Sequence, residues 1–119
     1  MPNSPKNLYK KLLGLTGEQL VAKHLKSLGY KIIENNYKTP FGEADILASK
    51  NSVVYFVEVK TRTSNKFGNP ASAVDYKKQQ KYRNIANFYI LSNGLENANI
   101  SFIVAEVLGE EINLITDAF

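Results

Sequence analysis

From residue 16 to residue 28 the apolar positions Val21, Ala22, Leu25 and Leu28 recur at helical spacing, which predicts an amphipathic helix stopped by Gly29. The period then changes. Residues 30–37, with Ile32 and Ile33, read as a strand, and Pro40, Phe41 and Gly42 as a turn. Residues 43–48 read as a short second strand. Residues 53–61, VVYFVEVKT, give the strongest strand signal in the chain because β-branched and aromatic side chains dominate them. The polar stretch 49–52 is turn-like, so these two strands are expected to form an antiparallel hairpin. Residues 64–70 read as a loop and 71–91 mostly as a helix ended by Asn93-Gly94; 99–107 and 110–116 read as two last strands about Gly109. The order α-β-β-β-α-β-β specifies an α/β fold, a mixed central sheet flanked by helices.

A chain of 119 residues is the size of one domain, with residues 1–15 expected as a flexible or helical extension. Cysteine is absent, which excludes disulfides, thiolate metal sites and cysteine nucleophiles and suits a reducing compartment. No signal-like or membrane-length apolar run is present, so a cytoplasmic protein without a membrane partner is expected. The net charge of +4 favours polyanions. Its distribution says more. Lys60, Arg62 and Lys66 follow the strongest strand, and Lys77, Lys78, Lys81 and Arg83 lie on the next helix, whereas the C-terminal stretch is mostly acidic where it is charged.

Centring the hairpin turn between Asn51 and Ser52 sets Asp45 opposite Glu58 and Glu43 opposite Lys60, all on one face. Phe56 and Val54 continue that face; Tyr55, Val57 and Val59 cover the other. Carboxylates in so apolar a strand are rarely buried unless paired or bound to a metal. A divalent cation between Asp45 and Glu58 removes their repulsion, and an all-oxygen donor set suits Mg²⁺ or Mn²⁺. Lys60 points to the same place, where its ammonium can steady charge growing on a phosphate or position the attacking water. Spacing alone equally allows a cross-strand Glu43–Lys60 ion pair with both acids at a solvated strand edge.

Glu18 lies one turn before Val21 and Ala22, so it is expected to face the sheet and complete the metal shell; a first-turn acid favoured by the helix dipole is the plainer account. On the later helix, Val74, Lys78, Tyr82, Ile85 and Tyr89 form one stripe, which draws Lys78 inward and leaves Lys77 and Lys81 outward. Gln79 can hydrogen-bond a phosphate or base, and the outward lysines can contact a nucleic-acid backbone without reading sequence. A solvated basic face is the alternative. His24, the single histidine, excludes multi-histidine metal sites. No nucleophilic serine motif, P-loop or dinucleotide glycine pattern occurs.

The segments GEQLVAKHLKSLGY, NNYKTPFGEADILA, VYFVEVKTR and FGNPASAVDYKKQQK, in that order, resemble the uncharacterised bacterial YraN-like family over residues 16–91. That family is similar to archaeal-type Holliday-junction resolvases within the PD-(D/E)XK, or restriction-endonuclease-like, superfamily. The resemblance implies an αβββαβ core and a Mg²⁺-dependent phosphodiesterase site. In it Asp45 of GEAD matches the strand aspartate, Glu58 and Lys60 of EVK the (D/E)XK pair, Glu18 of GEQL the first-helix glutamate, and Glu43 the family's GE. Ala44 stands where isoleucine is usual, a conservative change expected on the face away from the acids. Ser101 and Ile103 stand where arginine and aspartate are frequent, which puts any role of those positions in doubt.

The leading expectation is therefore a Mg²⁺- or Mn²⁺-dependent endonuclease, with DNA expected ahead of RNA as its nucleic-acid partner and branched DNA as one candidate substrate. Asp45, Glu58, Glu18 and Glu43 are the candidate metal ligands. Asp45, Glu58, Lys60 and Glu18 are the candidate catalytic residues, and Lys77, Lys78, Gln79, Lys81 and Arg62 the candidate nucleic-acid contacts. Resolvase-like activity would suit a homodimer. A nucleic-acid-binding module of nuclease fold without turnover is the alternative, and a structural or protein-interaction domain with an incidental acidic cluster is the third.

Overall fold

Thr16 sets the start of the first helix in the computed structural model of the chain, which describes residues 16–62 and 75–119. Its hydroxyl accepts from the Gln19 backbone N–H at 3.2 Å, while its own N–H donates to Gln19 Oε1 at 2.7 Å. This reciprocal cap opens α1 (Gly17–Ser27), close to its expected span. Gly29, with φ of 94°, turns the chain away after it, a conformation that glycine adopts without steric penalty. The expected extension 1–15 and loop 64–70 lie outside the described residues.

Four strands and a second helix follow as β1 (Lys31–Thr39), β2 (Gly42–Lys50), β3 (Val53–Thr61), α2 (Tyr76–Ser92) and β4 (Asn99–Leu108), with β5 (Glu111–Ile115) last. The sheet order is β1-β2-β3-β4-β5. β3 and β4 run parallel and the other neighbours antiparallel, so the sheet is mixed. This architecture is compatible with a restriction-endonuclease-like core. No helix among the described residues is long and apolar enough to cross a membrane.

Two boundaries differ from expectation for identifiable reasons. The polar stretch 49–52 is not all turn: β2 continues to Lys50, and the turn is only Asn51 and Ser52, with φ of 52° and 66°. Positive φ at both central residues is the geometry of a two-residue turn matched to strand twist. Helix α2 begins at Tyr76 rather than 71, because Asp75 is extended and its carboxylate accepts from the Lys78 N–H at 2.9 Å. An N-cap aspartate marks that start; residues 71–74 lie outside the described residues.

The helices cover opposite faces. Under α1, Val21, Ala22 and Leu25 pack on Ile46, Ala48, Val57, Ile103, Ala105 and Val107, with Tyr55 and Val59 alongside. Under α2, Tyr82, Ile85 and Ala86 pack on Leu47 and Phe56, with Val54 and Tyr89 alongside. Thus Val54 and Phe56 share one face of β3 and Tyr55, Val57 and Val59 the other, as alternation requires. Ala44 departs from the pattern. It was expected away from the acids but packs in the α2 cluster with Leu47 and Phe56. Strict alternation would separate residues 44 and 47, so the pleat is broken between them, where the β2–β3 ladder ends. Ile103 is fully buried under α1, and Ser101 donates to Asp117 Oδ1 at 2.9 Å, so both positions serve the fold.

Candidate metal and nucleic-acid site

The hairpin register is the one implied by a turn at Asn51 and Ser52: Lys50 faces Val53 and Ile46 faces Val57. The recorded ladder stops there, one pair short of Asp45 and Glu58. Instead, Asp45 reaches across with its side chain, Oδ2 accepting from the Val59 N–H at 2.8 Å. On the other side, β1 sets Asn35 against Ile46 and Tyr37 against Ala44, which leaves Asn36 opposite Asp45. Asn36 has a φ of 55°, a left-handed conformation that asparagine tolerates better than most residues. With its amide oriented by its neighbours, its nitrogen donates to Glu18 Oε1 at 2.9 Å and Glu43 Oε1 at 3.0 Å. Glu43 itself lies opposite Lys38 of β1.

Glu58 is 6% exposed. Its Oε1 accepts from the Tyr82 hydroxyl at 2.8 Å, and its Oε2 is ion-paired with the Lys78 ammonium. Burial pushes the Glu58 carboxyl up, but Lys78 and Tyr82, with a hydrogen bond to Asp45, together hold it below its ordinary value. Asp45 goes the other way. Burial raises its carboxyl to about 7, with the nearby charges of Glu58 and Glu18 adding to the rise and the Val59 N–H opposing it. Lys78 is raised by its hydrogen bond to Glu58, and the Tyr82 phenol is raised by burial and by the adjacent acids.

The expected acids thus form two hydrogen-bonded sets: Glu18 and Glu43 joined by Asn36, and Glu58 joined to Asp45, Lys78 and Tyr82. Among the described residues no three carboxylates or imidazoles converge as a ready metal cage. The Asp45–Glu58 pair nevertheless fits a hard divalent cation by its chemistry. Both donors are oxygen, and burial, with the charge of Glu58 adding to it, leaves Asp45 poised between its protonated and charged forms near neutral pH. Lys78 supplies one positive charge at the same carboxylate.

Lys60 is half-buried on β3, two residues past Glu58 and beside Glu106 of β4. Arg62, expected to contact nucleic acid, turns inward: its Nε donates to Glu106 Oε2 at 2.8 Å and its Nη2 to the same oxygen. Glu106 is fully buried, and its other oxygen accepts from Asn113 Nδ2 at 3.2 Å. On α2, Lys77 is exposed and Gln79 half-buried. Lys81 lays its stem along the turn at Gly42, where an added Cβ would sit 2.9 Å from Lys81 Cδ, and its ammonium lies 5.3 Å from the Tyr82 ring centre. Lys78 is drawn in as its place on the Tyr82 stripe implied; Val74 and Lys66 lie outside the described residues.

Asn36, Tyr82 and Glu106 carry polar roles that periodicity does not single out. Tyr82 reads simply as core. Asn36 is flagged only by polar residues interrupting a strand, and Glu106 only by a charge inside the apolar run SFIVAEV.

A family model described as "Uncharacterised protein family UPF0102" matches residues 17–115. A UPF0102 protein from Alkaliphilus metalliredigens is 46% identical over 112 residues, covering 92% of this chain and 98% of the relative. One from Alkaliphilus oremlandii is 48% identical over 99 residues, 82% of this chain and 85% of that one. One from Caldanaerobacter subterraneus subsp. tengcongensis is 42% identical over 121 residues, covering 96% and 99%.

Proposed function

The chain belongs to the uncharacterised protein family UPF0102, and from its paired, partly buried acids we propose that it is a divalent-metal-dependent endonuclease hydrolysing DNA phosphodiester bonds. The observation that carries this reading is the Asp45–Glu58 pair, two neighbouring carboxyl groups held by the Val59 N–H and by Tyr82 respectively, beside a half-buried Lys60. Asp45 and Glu58 would hold Mg²⁺ or Mn²⁺, which when bound supplies Lewis acidity and an activated water. The chain's own groups do the rest. Tyr82 fixes the Glu58 carboxylate, and the Val59 N–H fixes that of Asp45. Asn36 ties Glu18 and Glu43 together beside Asp45, where they can hold water or a more distant part of the cation's shell. Lys60 stabilises the charge that grows on the phosphate.

One observation favours a second reading, a nucleic-acid-binding module without turnover: Lys78 already neutralises Glu58. Cleavage of labelled linear, single-stranded and four-way-junction DNA with Mg²⁺ or Mn²⁺ separates the two. Cutting that disappears in Asp45→Ala and Lys60→Ala supports the nuclease, with the preferred DNA naming its substrate. Salt-sensitive binding without cutting supports the module. Equal cutting by all three proteins identifies a contaminant.

A further inference from the structure

Beside the acids a cleft of about 660 Å³ opens between α1 and β1, with Thr16, Glu18, Gln19, Ala22, Lys23 and Lys26 on one wall and Asn35 and Asn36 on the other. The α1 residues form one helical stripe, acid at its N-terminal end and two lysines at its C-terminal end. Lys23 and Lys26 are exposed, and neither is ion-paired among the described residues. Ala22 leaves room at the floor, and Gln19 and Asn35 offer amides.

We infer that this cleft is the track along which one nucleic-acid strand runs into the acid site, with Lys23 and Lys26 holding its phosphates. The inference rests on the proposed nuclease reading for the track's destination. Glu18 to Lys26 spans about 12 Å of helix at 1.5 Å per residue, the axial rise of roughly three to four nucleotides of one strand. A phosphate backbone fits this wall better than an acidic peptide would, because beyond Glu18 amides and cations line it without an apolar anchor. The later helix is the less suitable surface. Lys78 is committed to Glu58, and Lys81 lies over Gly42 and Tyr82, which leaves Lys77 and Arg83 as its outward cations.

The test is equilibrium binding of a labelled single strand and a duplex to the full chain in EDTA, across a salt series, for wild type, K23Q/K26Q and K77Q/R83Q. At low salt K23Q/K26Q should bind about tenfold more weakly, and the slope of log affinity against log salt should fall by about 1.5 in magnitude. K77Q/R83Q should stay within about threefold of wild type. Because the chain has no cysteine, K23C carrying a photoreactive maleimide gives a second readout: it should crosslink to the strand, and K77C should not. Binding by K23Q/K26Q within twofold of wild type, a larger loss in K77Q/R83Q, or no binding by wild type overturns the track. Absence of cleavage alongside lysine-dependent binding would sink the nuclease reading and leave the track standing.

Discussion

Lys78, in the first turn of α2, is ion-paired with Glu58 at the heart of the sheet. The pair ties β3 to the helix of the crossover between β3 and β4, and it puts a side-chain cation where a divalent ion would otherwise balance Glu58. Lys78→Met should therefore pull two properties apart. Metal-free stability should fall by about 1–3 kcal/mol, because a carboxylate only 6% exposed loses its counter-charge. Mn²⁺ affinity measured by calorimetry should rise several-fold, because the ion no longer competes with an ammonium. Weaker Mn²⁺ binding would mean that Lys78 helps the cation rather than opposing it.

Asp45 gives the metal-free protein a pH dependence of definite sign. Its carboxyl is raised from 3.8 to about 7 on folding, so the folded chain keeps a proton that the unfolded chain has lost. The resulting stabilisation is complete below about pH 4 and disappears as pH rises through 7. Allowing for partial exposure, the loss is about 2 kcal/mol. Asp45→Asn keeps the acceptor for Val59 and lacks this loss, so in EDTA at pH 8 it should melt several degrees above wild type, and the difference should shrink toward pH 4. Glu58 acts in the opposite sense in both proteins, its contribution falling away at acid pH, and so largely cancels in the comparison. Equal melting of the two proteins at pH 8 would contradict the raised Asp45.

Tyr82 buries its ring fully while its hydroxyl donates to Glu58. Tyr82→Phe preserves the packing and removes one charge-assisted hydrogen bond, for an expected loss of about 1.5–3 kcal/mol. Chemical denaturation should report a lower midpoint with an unchanged slope. A loss under about 0.5 kcal/mol would mean that solvent satisfies Glu58 in its place.

Arg62 and Glu106 should be unequal partners. Glu106 is wholly enclosed, whereas the Arg62 side chain is 21% exposed and can turn to water. Arg62→Leu, which strands the buried acid with Asn113 alone, should cost about 3–5 kcal/mol. Glu106→Leu should cost less, and the double variant should recover much of the deficit. Equal losses in the two single variants would show that Arg62 is as desolvated as its partner.

The parts legible in the sequence are those governed by short-range periodicity. VVYFVEVKT fixed β3 to the residue, and the position of Asn51 and Ser52 carried the hairpin register. The inward pull on Lys78 followed from its place on a stripe with Tyr82 and Ile85. Side-chain partners across elements were not legible. Nothing local distinguishes Arg62, committed to Glu106, from Lys77, turned to solvent, and nothing marks Asn36 as the residue opposite Asp45. Ala44 was misplaced because alternation assumes an unbroken pleat, and the pleat breaks where Asp45 uses its side chain to bridge the strands.

The hairpin that brings Asp45 and Glu58 together is complete within residues 42–61, whereas Lys78 and Tyr82 arrive with α2 and the parallel β4 later still. In order of synthesis, the two acids therefore precede the groups that neutralise and orient one of them. Local closure of a hairpin takes microseconds, far less than the synthesis of the next segment. Until α2 is made the acids are left to solvent, and the burial of Glu58 becomes favourable only when Lys78 and Tyr82 dock against it.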